Sequence, residues 1–257
     1  MAIHPSAIVD PGAQVDPSAE IGPFCVVGDG VVIGARTRLK GHIFVEGPTT
    51  IGADNLFYPF ASIGVASQDL KYEGEHAETH VGDHNLIREF VTVHRGTKGG
   101  GAVTRVGDHN LLMAYSHVAH DCRVGSNVVL GHGATLGGHV HVGDHARVSA
   151  FVGVHQFCRI GAHSIIGGYA VITRDVMPFA MVSEEREAKM YRANSVGLER
   201  RGFAPEQIEA INKAFRFLRT EGLLADAITR MRTELPPSDE IAQLIDFIER
   251  SERGFLK

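Results

Sequence analysis

The sequence predicts a mainly-β fold, a parallel β-helix wound from six-residue segments and followed by a C-terminal α-helical domain. Three observations carry that expectation. An aliphatic or aromatic residue recurs at every sixth position, 26 times in all. Glycine supplies 30 of the 257 residues and tryptophan is absent, although 44% of the chain is apolar. The charged fraction then rises from about 15% over residues 1–183 to about 36% over residues 184–257, where the spacing of apolar residues also changes.

The six-residue period starts at Ile3 and runs through Val9, Val15 and Ile21 to Phe57 and Ile63. It pauses over 64–80, resumes in phase at Val81, Ile87 and Val93, breaks across 94–105, and runs again from Val106 to Ile172. A period of six is neither that of an α-helix nor that of a simple alternating strand. It fits a short strand plus a turn repeated around a three-sided prism, with three segments closing each 18-residue coil and the periodic residue pointing inward. Neighbouring coils pair their backbones at a spacing of ~4.8 Å. Small β-branched side chains suit so narrow a bore, and tryptophan has no place in it. Glycine often follows the periodic residue, as in Ile21-Gly22, Val142-Gly143 and Ile160-Gly161, and VGDHNL occurs identically at 81–86 and 106–111. Gly, Asn and Asp near the corners are expected to supply backbone angles that other residues resist.

The polar insert at 64–80 keeps the coil phase, so it should bulge from one corner, and Asp69, Lys71 and Tyr72 give it chemistry that an idle loop does not need. The break at 94–105 carries Gly99, Gly100 and Gly101 and reads either as a mobile surface loop or as a loop that closes over a substrate. In the charged tail, Ile208, Ile211, Phe215 and Leu218 lie on one helical face, with Pro205 at an early position and Gly222 as a stop. Leu223–Leu235 reads as a second helix. Ser238 is placed to cap a third, with Ile241, Leu244, Ile245 and Ile248 on its buried face.

Composition excludes several classes. A net charge of −5 argues against a nucleic-acid partner. Three cysteines are too few for a disulfide framework and point to a reducing, cytoplasmic setting. No basic-then-apolar leader opens the chain, and no run of ~18 apolar residues offers a membrane span.

Coils explain the aliphatic residues but do not require histidines. The densest polar cluster is His117-Val118-Ala119-His120-Asp121-Cys122. With 18-residue coils Asp121 stacks near His139, and His155 falls on the coil beyond, so four imidazoles gather in a few layers. His84, His109 and His145 sit in the repeated Gly-Asp-His corner and read as exposed turn residues. His120 is either a corner histidine bonded to a backbone carbonyl or, beside Asp121, a general base with a near-neutral pKa. The cluster also admits a metal-binding reading. His139 and His141 form a His-x-His pair, but share a face only in an extended segment. Cys122 and Cys158 are candidate nucleophiles or small buried apolar residues.

The hexapeptide pattern is similar to that of the hexapeptide acyltransferases, whose β-helix is left-handed. The segments ASIGVASQDLKYEGE (61–75), IREFVTVHRGT (87–97), HVAHDCRVG (117–125), GGHVHVGD (137–144), VHQFCRIGAHS (154–164) and GLERRGF (197–203) closely resemble the acyl-ACP–UDP-N-acetylglucosamine O-acyltransferases of lipid A biosynthesis. The resemblance spans nearly the whole chain. It implies a cytoplasmic homotrimer with sites in clefts between prisms, 3-hydroxyacyl-acyl carrier protein and UDP-N-acetylglucosamine as substrates, and neither cofactor nor metal. His120 corresponds to the general base, Asp121 to the group that orients it, and Gly138 to the backbone N–H that meets the oxyanion. His117, His139, His155 and Gln156 correspond to sugar- and acyl-contacting positions, and Asp69 and Lys71 to loop residues reaching the glucosamine or phosphates. His94, Asn194, Arg200 and Arg201 correspond to nucleotide-binding positions, and Gly168 to the gauge of acyl-chain length. Two departures bear on the nucleotide: SEEREAKMYRA (183–193) lacks a Gly-Asn-x-Ala run, and Ser195-Val196 stands where many members have Glu. Another hexapeptide acyltransferase, a metal-dependent carbonic anhydrase and a non-catalytic scaffold are the rival readings.

Overall fold

A computed structural model describes residues 2–183 and 188–256. The chain winds as a left-handed parallel β-helix and ends in a helical domain. Strands of two to four residues stack into sheets of eleven, nine and eight strands, which form the faces of a prism. In chain order, Ala2–Ile3 opens the first face, Ile8–Val9 the second and Gln14–Val15 the third. Ile3 pairs with Ile21, Val9 with Val27 and Val15 with Ile33, so a regular coil is 18 residues, as the period requires.

From Ile21 to Ile172 every periodic residue is buried, while Ile3, Val9 and Val15 at the open end are only partly covered. A second inward row escaped the sequence reading. It lies four residues after the periodic one and mixes Cys25, Ala61, Cys122, Ala134 and Cys158 with Val31, Ile43, Val128 and Val140, all buried. Part of this row is polar: Asn55 accepts from the Asn85 backbone N–H (2.8 Å), Asn85 from Asn110 (2.9 Å) and Asn110 from Val128 (2.7 Å). Each amide side chain thereby ties its coil to the next.

The corners differ from expectation. The left-handed backbone position, three residues past the periodic one, is held mostly by His, Phe and Tyr rather than by glycine. Stacking between coils offsets the cost of that conformation. Phe24, His42, Phe60, Phe90 and Tyr115 form a column with successive ring centroids 4.9, 5.1, 5.0 and 4.8 Å apart. The glycine after the periodic residue serves close approach instead. A Cβ on Gly34 or Gly143 would lie 2.6 Å from backbone atoms of the next coil.

Both insertions leave from the same corner, between the second and third faces. The first covers 66–77, because strands Ser62–Val65 and Glu78–Val81 reach inside the expected limits. The second covers 95–102, between Thr92–His94 and Val103–Val106. The two loops meet where the Lys98 backbone N–H donates to the Glu75 carboxylate (3.0 Å).

The expected domain boundary at 184 and part of the departing run 183–193 fall on residues 184–187, outside the described residues. Beyond them Met190–Ala193 adds an antiparallel strand to the first face, so sheet structure continues past that boundary. A short helix, α1 (Ser195–Glu199), follows and was not anticipated. The three expected helices are α2 (Pro205–Thr220), α3 (Leu224–Glu234) and α4 (Asp239–Glu249). Ser238 accepts the Ile241 N–H, and Ile241, Leu244, Ile245 and Ile248 are buried as expected. The Arg159 guanidinium lies over the Phe247 ring (4.1 Å), which fastens α4 to the third face.

Candidate active site

The corner that sprouts both insertions also carries the histidine cluster. His117 opens a rung of the second face, His120 and Asp121 turn the corner, and His139 occupies that corner one coil on. His120 Nδ1 lies 2.8 Å from Asp121 Oδ2, so its partner is the carboxylate and not a backbone carbonyl. The Asp121 side chain is fully buried. Its oxygens also accept the Thr97 backbone N–H (2.9 Å) and the Thr97 hydroxyl (2.6 Å). Thr97 belongs to the second insertion, and a Cβ on Gly100 would overlap the Asp121 carboxylate. The glycine run therefore lets the loop lie directly on Asp121, which favours a structural role for the loop over a mobile one.

With Nδ1 turned to Asp121, the Nε2 of His120 is the free nitrogen. It faces Asp69 of the first insertion at 3.9 Å. Asp69 also accepts the Lys71 backbone N–H (3.0 Å), while the Lys71 side chain is exposed. His139 stands edge-on to His120 at 5.1 Å and stacks on Phe157 at 4.4 Å. His94 meets His117 edge-on at 4.9 Å, and His117 Nδ1 pairs with the Thr92 hydroxyl (2.7 Å). Gly138 is buried, its N–H donates to no described residue, and a Cβ there would sit 2.5 Å from the His120 ring.

Burial, with the neighbouring imidazoles, pushes the His94 pKa down to about 4 and lowers that of His117. His139 is lowered mainly by burial, against the pull of Asp121. The unfolded chain takes up the His94 proton first, so folding stability falls as pH drops from about 6.5 to about 4. For His94 the loss amounts to about 3 kcal/mol. Denaturation midpoints at pH 7 and pH 4.5 should differ less in His94→Asn than in the wild type.

Not all expected site residues converge. His155 and Gln156 are exposed on the coil beyond His139, and His155 has Arg253 of the C-terminal segment at 3.4 Å. His141 points outward from the third face, so it does not pair with His139. Gly168 lies at the corner between the first and second faces, where a Cβ would touch only the Ala150 carbonyl at 3.3 Å. Asn194, Arg200 and Arg201 line a separate pocket of about 590 Å³ on the first face. Asn194 is engaged within the chain: it caps α1 and donates to the His163 carbonyl (2.9 Å). Arg201 donates to the His145 carbonyl (2.7 Å). Arg147 and Arg192 join that pocket, giving it four guanidinium groups suited to a diphosphate. The sequence offered no signal for Arg147, which occupies an ordinary outward strand position.

The ligand atoms of His120, Asp121 and His139 lie within 4.8 Å of one another, which a metal ion could use. The Asp121 oxygens, however, already serve Thr97 and His120. The thiols are unsuited to attack, because burial raises Cys122 to about 12 and Cys158 to about 11.

A six-residue parallel β-helix with a His–Asp pair at an inserted corner defines the hexapeptide-repeat acyltransferase class. A family model for bacterial hexapeptide transferases matches residues 104–138 and 139–174, and one for the second domain of UDP-N-acetylglucosamine O-acyltransferase matches 175–256. The acyl-[acyl-carrier-protein]–UDP-N-acetylglucosamine O-acyltransferase of Thermodesulfovibrio yellowstonii is 47% identical over 225 residues, 87% of each chain. The UDP-N-acetylglucosamine acyltransferase structure from Bacteroides fragilis superposes with a TM-score of 0.97 at 38% identity, covering 99% of this chain and 100% of that one. The O-acyltransferase from Moraxella catarrhalis does so at 0.96 and 42%, covering both chains fully. The chain belongs to the acyl-ACP–UDP-N-acetylglucosamine O-acyltransferase family.

Proposed function

We propose that this enzyme moves a 3-hydroxyacyl group from acyl carrier protein to the 3-hydroxyl of UDP-N-acetylglucosamine, the first step of lipid A biosynthesis, by direct general-base catalysis in the cytoplasm. The observation that carries the reading is the 2.8 Å contact of His120 Nδ1 with buried Asp121, which leaves Nε2 as the base. The sugar oxygen attacks the thioester carbonyl as Nε2 takes its proton. Asp121 holds the tautomer and stabilises the imidazolium, the unpaired Gly138 N–H meets the oxyanion, and the imidazolium returns the proton to the departing thiolate. His117 and His139, kept neutral by burial, are placed to contact the acceptor without competing for its proton.

The arginine pocket sits on the first face, across the prism from the catalytic corner, so one chain does not offer both to one substrate. A homotrimer that sets the first face of one copy against the catalytic corner of the next would bring Asn194, Arg200 and Arg201 to the nucleotide. Gly168 would then lie along the acyl chain.

The test is turnover of UDP-N-acetylglucosamine with 3-hydroxyacyl carrier proteins of several chain lengths. The reading expects an ester at the sugar 3-oxygen and no reaction of the 3-deoxy sugar. Acylation elsewhere, or zinc-dependent hydration of carbon dioxide without acyl transfer, would contradict it. Cys122→Ala should keep kcat within about twofold, because the Cys122 thiol packs inward against the Gly137 carbonyl (3.1 Å) and takes no part in transfer.

A further inference from the structure

The third face carries a feature that the catalytic reading does not use. Strand register stacks Arg105, Arg123, His141 and Arg159 one above another on successive coils, and His80 continues the column beyond Arg105. At ~4.8 Å per coil the column is about 19 Å long. Arg105, Arg123 and His141 are exposed, and Arg159 is half-buried. Together they border a shallow groove of about 780 Å³ floored by glycine backbone.

Like charges directly opposite one another in a sheet are destabilising. Within the column only His80 has a carboxylate partner among the described residues, Glu78 at 2.7 Å; no described carboxylate lies within salt-bridge distance of Arg105, Arg123 or Arg159. Asp144, at the groove's edge, accepts the Ser126 backbone N–H instead (2.8 Å). Arg105 donates to His80 Nδ1 (2.8 Å), and Arg159 donates to the carbonyls of Phe247 and Arg250. Arg123 has no such partner among the described residues. The column also starts at the catalytic corner, with Arg123 two residues past Asp121 and His141 two past His139, a step of about 7 Å along the chain.

We infer that this arginine column is the docking surface for the acidic face of the acyl carrier protein, set so that a thioester arm reaching over the corner arrives at His120. The inference rests on the carrier protein being the acyl donor. Charge complementarity selects this occupant: a file of guanidinium groups without carboxylate partners among the described residues, beside the catalytic corner, fits a partner that is itself acidic and must present its cargo there.

The test compares the wild type with the double variant Arg105→Glu/Arg123→Glu, neither residue belonging to the catalytic cluster. The inference expects KM for 3-hydroxyacyl carrier protein to rise at least tenfold. It expects kcat and the KM for UDP-N-acetylglucosamine to hold, and a 3-hydroxyacyl pantetheine thioester to be used equally by both proteins. The single change Arg123→Gln should give an intermediate rise and a shallower dependence of carrier KM on salt. An unchanged KM for the carrier would overturn the inference, and so would equal losses with both donors. Loss of binding to anionic phospholipid vesicles with carrier kinetics intact would assign the column to a membrane surface and also overturn it. Titration of holo-carrier without sugar separates the two levels. If the wild type binds the carrier through the column but performs no acyl transfer, the proposed reaction fails and the docking surface stands.

Discussion

His120→Ala is expected to lower kcat by about 10³–10⁴ while the protein stays folded. General-base catalysis is worth about 10²–10⁴, and neither neighbouring imidazole can substitute at this position. His117 is turned to Thr92, His139 is stacked on Phe157, and both are lowered in basicity by burial. The fold should survive because His120 lies on a corner rather than in the bore, and Asp121 keeps both of its bonds to Thr97. KM for the sugar nucleotide should change little. The measurement is steady-state kinetics on a variant whose thermal unfolding and oligomeric mass match the wild type. Turnover within tenfold of wild type would remove His120 from the chemistry.

Asp121→Asn should have nearly as large an effect with a smaller change in shape. The amide has one oxygen to offer where the carboxylate serves the Thr97 N–H, the Thr97 hydroxyl and His120. If it accepts from Thr97, its NH₂ faces His120 and selects the wrong tautomer, leaving Nε2 protonated and unable to act as base. Loss of the equivalent orientation in a His–Asp pair costs about 10⁴ in kcat. Stability should also fall, by about 1–3 kcal/mol, because a buried donor is left with a poorer partner. The two effects separate experimentally: kcat reports the tautomer, and the denaturation midpoint reports the buried network. A variant that loses stability but retains its kcat would reduce Asp121 to an anchor for the loop.

The repeat made the fold legible. An inward side chain every six residues is a constraint that each coil imposes independently, so 26 repetitions leave little freedom. The second inward row was hidden because Val, Ala, Cys, Asn, Thr, Ser and once Ile share its positions, so it lacks the uniform aliphatic character that makes the first row visible. The corners misled for a related reason. Glycine near a turn suggests left-handed backbone, yet Gly34 and Gly143 are set by the closeness of the next coil, and rings stacked between coils hold the left-handed positions. At the site, His120 and Asp121 were legible as neighbours in sequence. That both insertions emerge at their corner follows from counting faces. That Thr97 fastens Asp121, or that Arg147 completes the arginine pocket, depends on loop and strand geometry that no local pattern encodes.

The direct test of transfer by His120 without an acyl-enzyme is intact-mass spectrometry of the protein mixed with 3-hydroxyacyl carrier protein, before and after UDP-N-acetylglucosamine is added. The wild type should remain unmodified at both stages and form acylated sugar nucleotide only in the second, and His120→Gln should form none. A protein mass raised by one acyl group before the sugar is added, or undiminished product from His120→Gln, would contradict the account.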